Sequence, residues 1–220
     1  MPFTTPTHGH RHRLKIGLLG GSFNPAHEGH LHVAREAMRH LGLDQLWLLV
    51  SPGNPLKPAN GMAKLADRLA SARKIADGRL IIATDIESRM GTRYTRDTLR
   101  GLKRRFPRVR FVWLMGADNL IQLPRWGRWQ EIIHAMPMLV VPRPGATRRA
   151  LAGRAAKRHQ KDRLPARAGL CLATMRAPAW ILLPVRENAA SATALRRRIL
   201  EGTQPCLLYT SPSPRDRTRS

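Results

Sequence analysis

Residues 14–19 (LKIGLL) run straight into GGSFNPAHEGH at residues 20–30, and few folds accommodate that junction. An apolar run this short, closed by glycines, reads as a buried strand. Gly20 and Gly21 let the chain turn sharply and let a ligand approach the backbone. Pro25 stops the strand from continuing. Residues 31–41 read as a helix, with Gly42 as its C-cap. His27 and His30 then sit at the helix entrance, three residues apart and on about the same side. Backbone N–H groups at such an entrance are unpaired and favour anions. Glycines, a helix N-terminus and two imidazoles together predict a phosphate-binding site.

The spacing is neither that of the dinucleotide fingerprint GxGxxG nor that of the Walker loop, which ends in Gly-Lys-Ser/Thr. The plain alternative is a pair of solvent-exposed histidines on an ordinary helix start. HxGH also suits zinc, but no third Cys, His or carboxylate ligand stands nearby, and Glu28 points elsewhere, so no protein-held metal is expected.

The remaining elements alternate strand and helix, which predicts a doubly wound parallel α/β sheet with helices on both faces, in a single domain. Strands are expected at 45–50, 80–83, 110–115, 138–141 and 180–183, and helices at 63–76, 94–103 and 191–200, with Ser191 near an N-cap. Ligands of such sheets bind outside the carboxyl ends of the strands.

At 220 residues the chain can bury one sizeable core. It has no apolar run of the roughly 18 residues a membrane span needs, and residues 1–13 are polar and rich in Pro and His, a disordered leader rather than a signal peptide. Only Cys171 and Cys206 are present, which fits a reducing, cytoplasmic setting. The net charge of +25 raises nucleic acid as a partner. Against that, the basic residues are spread along the chain, and the densest stretch, 143–167, has no aromatic residue for base stacking. That stretch reads as a solvated basic helix and loop, and the charge as an attraction for anionic nucleotides. No nucleic-acid or membrane partner is expected, and the sequence leaves oligomeric state open.

With GGSFNPAHEGH identified, the chain resembles the HxGH nucleotidyltransferase superfamily. Further segments resemble bacterial nicotinate-nucleotide adenylyltransferases: SPGNPLKP (51–58) a lysine-bearing loop, YTRDTL (94–99) the SYTxDTL segment, MGADNL (115–120) with Trp126 and Trp129 the GxDxxxxxxxW region, and SATALR (191–196) the SSTxIR segment. The resemblance covers residues 14–202. Departures are Ser22 and Asn24 where Thr and Asp are commoner, Arg93 in place of Ser before Tyr94, and Leu56 where many relatives have His before the lysine. Residues 203–220 depart altogether and read as a non-native tail.

The resemblance implies a Rossmann-like nucleotidyltransferase fold and a reaction of ATP, as its Mg²⁺ complex, with nicotinate mononucleotide. It implies that His27, His30, Lys57 and Arg196 stabilise the transferring phosphates, imidazole being able to take a positive charge when phosphate is near. ATP would be bound by Gly20, Gly21, Ser22, Phe23, His27, Gly29, His30, Gly116, Asp118, Ser191 and Arg196. Nicotinate mononucleotide would be bound by Asn24, Lys57, Tyr94, Thr95, Asp118 and Trp126, with backbone amides near Thr95 receiving the ring carboxylate. Asp118 fits a ribose acceptor or, as the plain alternative, a helix N-cap. Trp126 and Tyr94 have core packing as theirs. Phosphopantetheine and nicotinamide mononucleotide are the rival acceptors.

Overall fold

Lys15–Gly21 forms β1, and its two neighbours in the sheet decide where the site lies. The computed structural model describes residues 13–53, 61–183 and 185. After β1 come α1 (Glu28–Leu41), β2 (Gln45–Val50), α2 (Leu65–Ile75), β3 (Ile81–Thr84), α3 (Ile86–Arg89) and α4 (Thr95–Arg105). The second half holds β4 (Arg110–Gly116), α5 (Ala117–Gln122), α6 (Trp129–Ala135), β5 (Met138–Val141), α7 (Thr147–Leu151), α8 (Arg154–Arg158), α9 (Gly169–Leu172) and β6 (Trp180–Leu182). The leader 1–12, the tail 203–220 and the helix expected at 191–200 lie outside the described residues.

The six strands are all parallel, in the order β3-β2-β1-β4-β5-β6. The chain winds outward one way from β1 through β2 and β3, then returns to β1's other side as β4. Connections on the two sides of β1 therefore diverge, and a crevice opens between the carboxyl ends of β1 and β4. Gly20 and Gly21 end one strand and Gly116 the other.

Alternation along the strands builds two cores. Leu19, Leu46, Leu48 and Val50 pack with Val33, Ala34, Ala37 and Leu41 of α1, Leu69 and Ala72 of α2, and Leu172 of α9. Ile16, Leu18, Trp47 and Leu49 face the opposite way, toward Leu99 and Leu102 of α4, Leu120 of α5 and Ile132 of α6. Both faces are covered, as the run-on apolar strands require. Gly42 closes α1 in the left-handed conformation, its N–H donating to the Met38 carbonyl. Among the described residues no helix is long and apolar enough to cross a membrane.

The structure corrects the sequence reading at particular places. Helix α1 starts at Glu28, not residue 31, because His27 is its N-cap. The basic stretch 143–167 holds two short helices, α7 and α8, whose Ala150, Ala155 and Ala156 are buried in the second core. Alanines carry little periodic signal, so the arginines between them masked a packed face. Helices α3, α5 and α6 are too short to show periodicity in sequence.

A Cβ on Gly20 would stand 2.6 Å from Trp113 Cη2 of β4, a rigid ring already 4% exposed. Gly20→Ala is expected to cost about 1–3 kcal/mol of unfolding free energy, read by urea denaturation.

Candidate active site

The entrance of α1 is closed by its own histidines. His27 Nδ1 accepts the Gly29 N–H at 3.1 Å, and His30 Nδ1 accepts the His27 N–H at 3.2 Å. The two imidazoles thus make a reciprocal capping box, with ring centroids 3.9 Å apart. The His30 N–H donates to the His27 carbonyl at 2.8 Å. This corrects the expectation of free amides at this entrance: the Gly29 and His27 N–H groups are taken by the cap. It also settles the tautomers. A ring nitrogen that accepts a hydrogen bond carries no proton, so each neutral imidazole holds its proton on Nε2. The cap leaves the two Nε2–H groups as side-chain donors for an anion.

Both rings are held neutral. Burial, then the neighbouring His27 and Arg143, pushes His30 from 6.5 down to about 3. Burial followed by Arg143 also lowers His27, with Glu28 acting the other way. In the free protein the imidazoles are therefore neutral donors, and among the described residues the positive charge acting on both is Arg143. Sequence reasoning had left Arg143 in the solvated basic stretch. It stands just past the carboxyl end of β5, and its backbone N–H and carbonyl both pair with Thr147 Oγ1, at 2.9 and 3.0 Å. Its position after a strand was the available signal.

Gly116 caps α5 by its backbone, and its bare Cα leaves room for Asp118 and Arg143. Asp118 is not the cap. Its carboxylate is 54% exposed in the first turn of α5, with Arg143 Nε at 4.0 Å. It remains open to a hydroxyl donor.

Phe23 turns the chain after β1 with φ of 47°, and its ring is buried against Gly21 and the His30 ring. Asn24 departs from its expected role. It is 6% exposed, its Nδ2 donates to the Gly61 carbonyl at 2.9 Å and its Oδ1 accepts the Ala63 N–H at 3.2 Å. Both amide atoms hold the loop after β2, and Asn24 does not line the cavity described next. Arg68 of α2 does similar work unannounced by sequence. Only 2% exposed, it donates to the carbonyls of Ser22, Ser51 and Ala63 at 2.7–2.9 Å. Ser71 Oγ accepts the Ala26 N–H at 3.0 Å.

On the other side of the glycine turn lies a cavity bordered by Tyr94, Thr95 and Trp126 of the expected acceptor set together with Gly20, Gly21 and Ser22 of the expected ATP set; Asp118 does not line it. Trp113 and Asn119 also line it, and the indole N–H groups of Trp113 and Trp126 have no partner among the described residues. The entrance of α4 opens here. Its N-cap, Tyr94, makes no side-chain cap bond, unlike His27 at α1. Glu87 of α3, which sequence reasoning passed over, lines the same cavity while 8% exposed. The structure thus brings together Gly20, Gly21, Ser22, Tyr94, Thr95 and Trp126 on one side, and His27, His30, Gly116 and Asp118 with Arg143 on the other. Lys57, Ser191 and Arg196 lie outside the described residues.

A parallel sheet with a β1/β4 crevice and an HxGH entrance defines a nucleotidyltransferase. A family model described as cytidylyltransferase-like matches residues 18–198. A protein of Gluconobacter oxydans described as "probable nicotinate-nucleotide adenylyltransferase" is 58% identical over 183 residues, covering 83% of this chain and 94% of its own length. One of the same description from Parvibaculum lavamentivorans is 56% identical over 185 residues, covering 84% and 92%. The chain belongs to the nicotinate-nucleotide adenylyltransferase family. The fold is shared with Plasmodium falciparum nicotinic acid mononucleotide adenylyltransferase complexed with NaAD, at a TM-score of 0.64 and 15% identity, covering 86% of this chain and 88% of that one.

The caps separate two roles of His30 by substitution. His30→Asn keeps an acceptor near Nδ1 for the helix cap and removes the Nε2–H, so the rate is expected to fall about 100–1000-fold with the helix intact. Circular dichroism and steady-state rates check this together. An imidazole held neutral in the folded chain gains its proton only on unfolding, so His30 adds stability above pH 6.5 that is lost as pH falls toward 3. Urea unfolding across that window should show a shallower acid decline in His30→Asn than in the wild-type protein.

Proposed function

We propose that this chain joins ATP and nicotinate mononucleotide into deamido-NAD, releasing pyrophosphate. The observation that carries the reading is the meeting of two unlike half-sites at Gly20–Ser22. One half offers neutral imidazole donors beside an arginine and an open carboxylate, which suits a nucleoside triphosphate. The other is an aromatic cavity at an uncapped helix entrance, which suits a flat ring bearing a negative group.

In this reading a phosphate oxygen of the mononucleotide attacks the α-phosphorus of ATP. The bond from that phosphorus to the bridging oxygen breaks in line, and pyrophosphate leaves with its electron pair. No enzyme nucleophile is needed, so catalysis comes from positioning and charge stabilisation. The Nε2–H groups of His27 and His30 donate to phosphate oxygens as negative charge moves toward the leaving group. Being neutral and fixed by their Nδ1 caps, they need no reorientation as the reaction proceeds. Arg143 supplies charge to the same oxygens, and Asp118 accepts from a ribose hydroxyl. Lys57, Ser191 and Arg196 are assigned to the phosphates by resemblance.

ATP enters as its Mg²⁺ complex. The ion would be held chiefly by the substrate phosphates and would offset their charge. Trp126 offers a stacking face, and the amides at Thr95 receive the ring carboxylate. The sparing use of cysteine supports a cytoplasmic enzyme.

Pyrophosphate release is expected only when ATP, Mg²⁺ and nicotinate mononucleotide are all present. Faster turnover of nicotinamide mononucleotide or phosphopantetheine would replace the acceptor, and no release with any of them would overturn the activity.

A further inference from the structure

Glu87 is a carboxyl group without an evident task in adenylyl transfer. It stands in the first turn of α3, and its side chain reaches across to α4, where Thr98 Oγ1 donates to Oε1 at 3.2 Å. Thr98 Oγ1 also lies 2.9 Å from Thr92 Oγ1, and the Glu87 carbonyl accepts from the Thr92 N–H at 3.0 Å and hydroxyl at 3.2 Å. This chain of contacts ties α3, the turn before Tyr94 and the first turns of α4 into one unit. Glu87 and Thr95 both line the cavity. Its carboxyl meets Thr98, about one helical turn along α4 from Thr95.

Among the described residues Glu87 has a hydrogen-bond partner in Thr98 but no ion pair. Arg93, Arg96 and Arg125 line the same cavity, yet among the described residues none forms an ion pair with it. Arg96 is turned to Asp97 at 3.0 Å and Glu131 at 3.9 Å. On its own helix, Arg89 pairs with Asp85. Among the described residues lining the cavity, Tyr94 is the remaining titratable group. The strand beneath, β2, presents Trp47 and Leu49 to this face and brings no charge.

We propose that Glu87 sets how the acceptor cavity distinguishes a ring carboxylate from a ring carboxamide. The proposal rests on the nicotinate reading above and deepens it. An ionised Glu87 and a carboxylate bound in the cavity that Glu87 lines would repel each other. A protonated, neutral Glu87 does not repel a carboxylate held by the Thr95 amides. An ionised Glu87 repels that carboxylate and accepts from the N–H of a carboxamide. Burial pushes Glu87 up to about 7, with the Thr98 hydrogen bond acting against it, so the two forms exchange near neutrality. Nicotinate binding above neutral pH should then be accompanied by uptake of a proton, which nicotinamide binding should not require.

The test compares the affinities of the wild-type protein for nicotinate and nicotinamide mononucleotide, by calorimetry from pH 6.5 to 8.5. The phosphate is common to both ligands, so its own titration cancels in the ratio. The preference for nicotinate is expected to fall about tenfold across that range, and nicotinate binding at pH 8 to take up a proton, read from buffers of different ionisation enthalpy. Glu87→Gln keeps an acceptor for Thr98 and cannot ionise, so its preference should be independent of pH. A constant wild-type ratio with no proton uptake would sink the proposal, and so would a Glu87→Gln ratio that follows the wild-type curve. If Glu87→Gln does not fold, the wild-type ratio and proton count still decide. Binding of nicotinamide mononucleotide alone, or of neither mononucleotide, would remove the acceptor reading and this inference with it.

Discussion

The Arg68 guanidinium holds the carboxyl edge of the sheet together. It is a buried cation whose hydrogen bonds go to backbone carbonyls at Ser22, Ser51 and Ala63, on three segments that would otherwise end in separate loops. Taking such a group out of water is costly, and the planar fork of arginine is the side chain able to offset that cost through several carbonyls at once. Removing it would strand those carbonyls as well as lose the charge. The turn that carries Ser22 and Phe23 depends on this anchor, and with it the ring contact between Phe23 and His30.

Two helix entrances meet around that turn, and they are prepared in opposite ways. At α1 the imidazoles occupy the first amides and send their own N–H groups outward. At α4 no side chain occupies them. The same physics of unpaired amides thus yields two kinds of anion receptor. The first offers side-chain donors fixed by the cap, the second backbone donors with no side chain over them.

Much of this was legible in the sequence, for local reasons. A strand closed by two glycines, a Gly C-cap and long apolar strands such as 45–50 and 110–115 declare themselves within a dozen residues. Tyr94, Thr95 and Trp126 were found through a resemblance, and they do share one cavity. What escaped is non-local. Arg68 lies between Asp67 and Leu69 in a polar-looking helix, and nothing nearby says that three carbonyls will converge on it. Glu87 belongs to a four-residue helix, and Arg143 hides at the head of a basic stretch. Asn24 sits within the phosphate-binding motif and so reads as a ligand contact, whereas its amide holds the neighbouring loop. The caps and burial that lower the pKa of His27 and His30 in the free protein are invisible in sequence.

The imidazole cap also bears on redesign. Serine or aspartate would be the stronger choice for closing α1, so a procedure that ranks substitutions by helix stability alone would favour replacing His27. Such a variant would fold, resist heat at least as well and carry nothing to meet the transferring phosphate. The same first turn serves both as the helix's fastening and as its working edge, and a gain in one is drawn directly from the other.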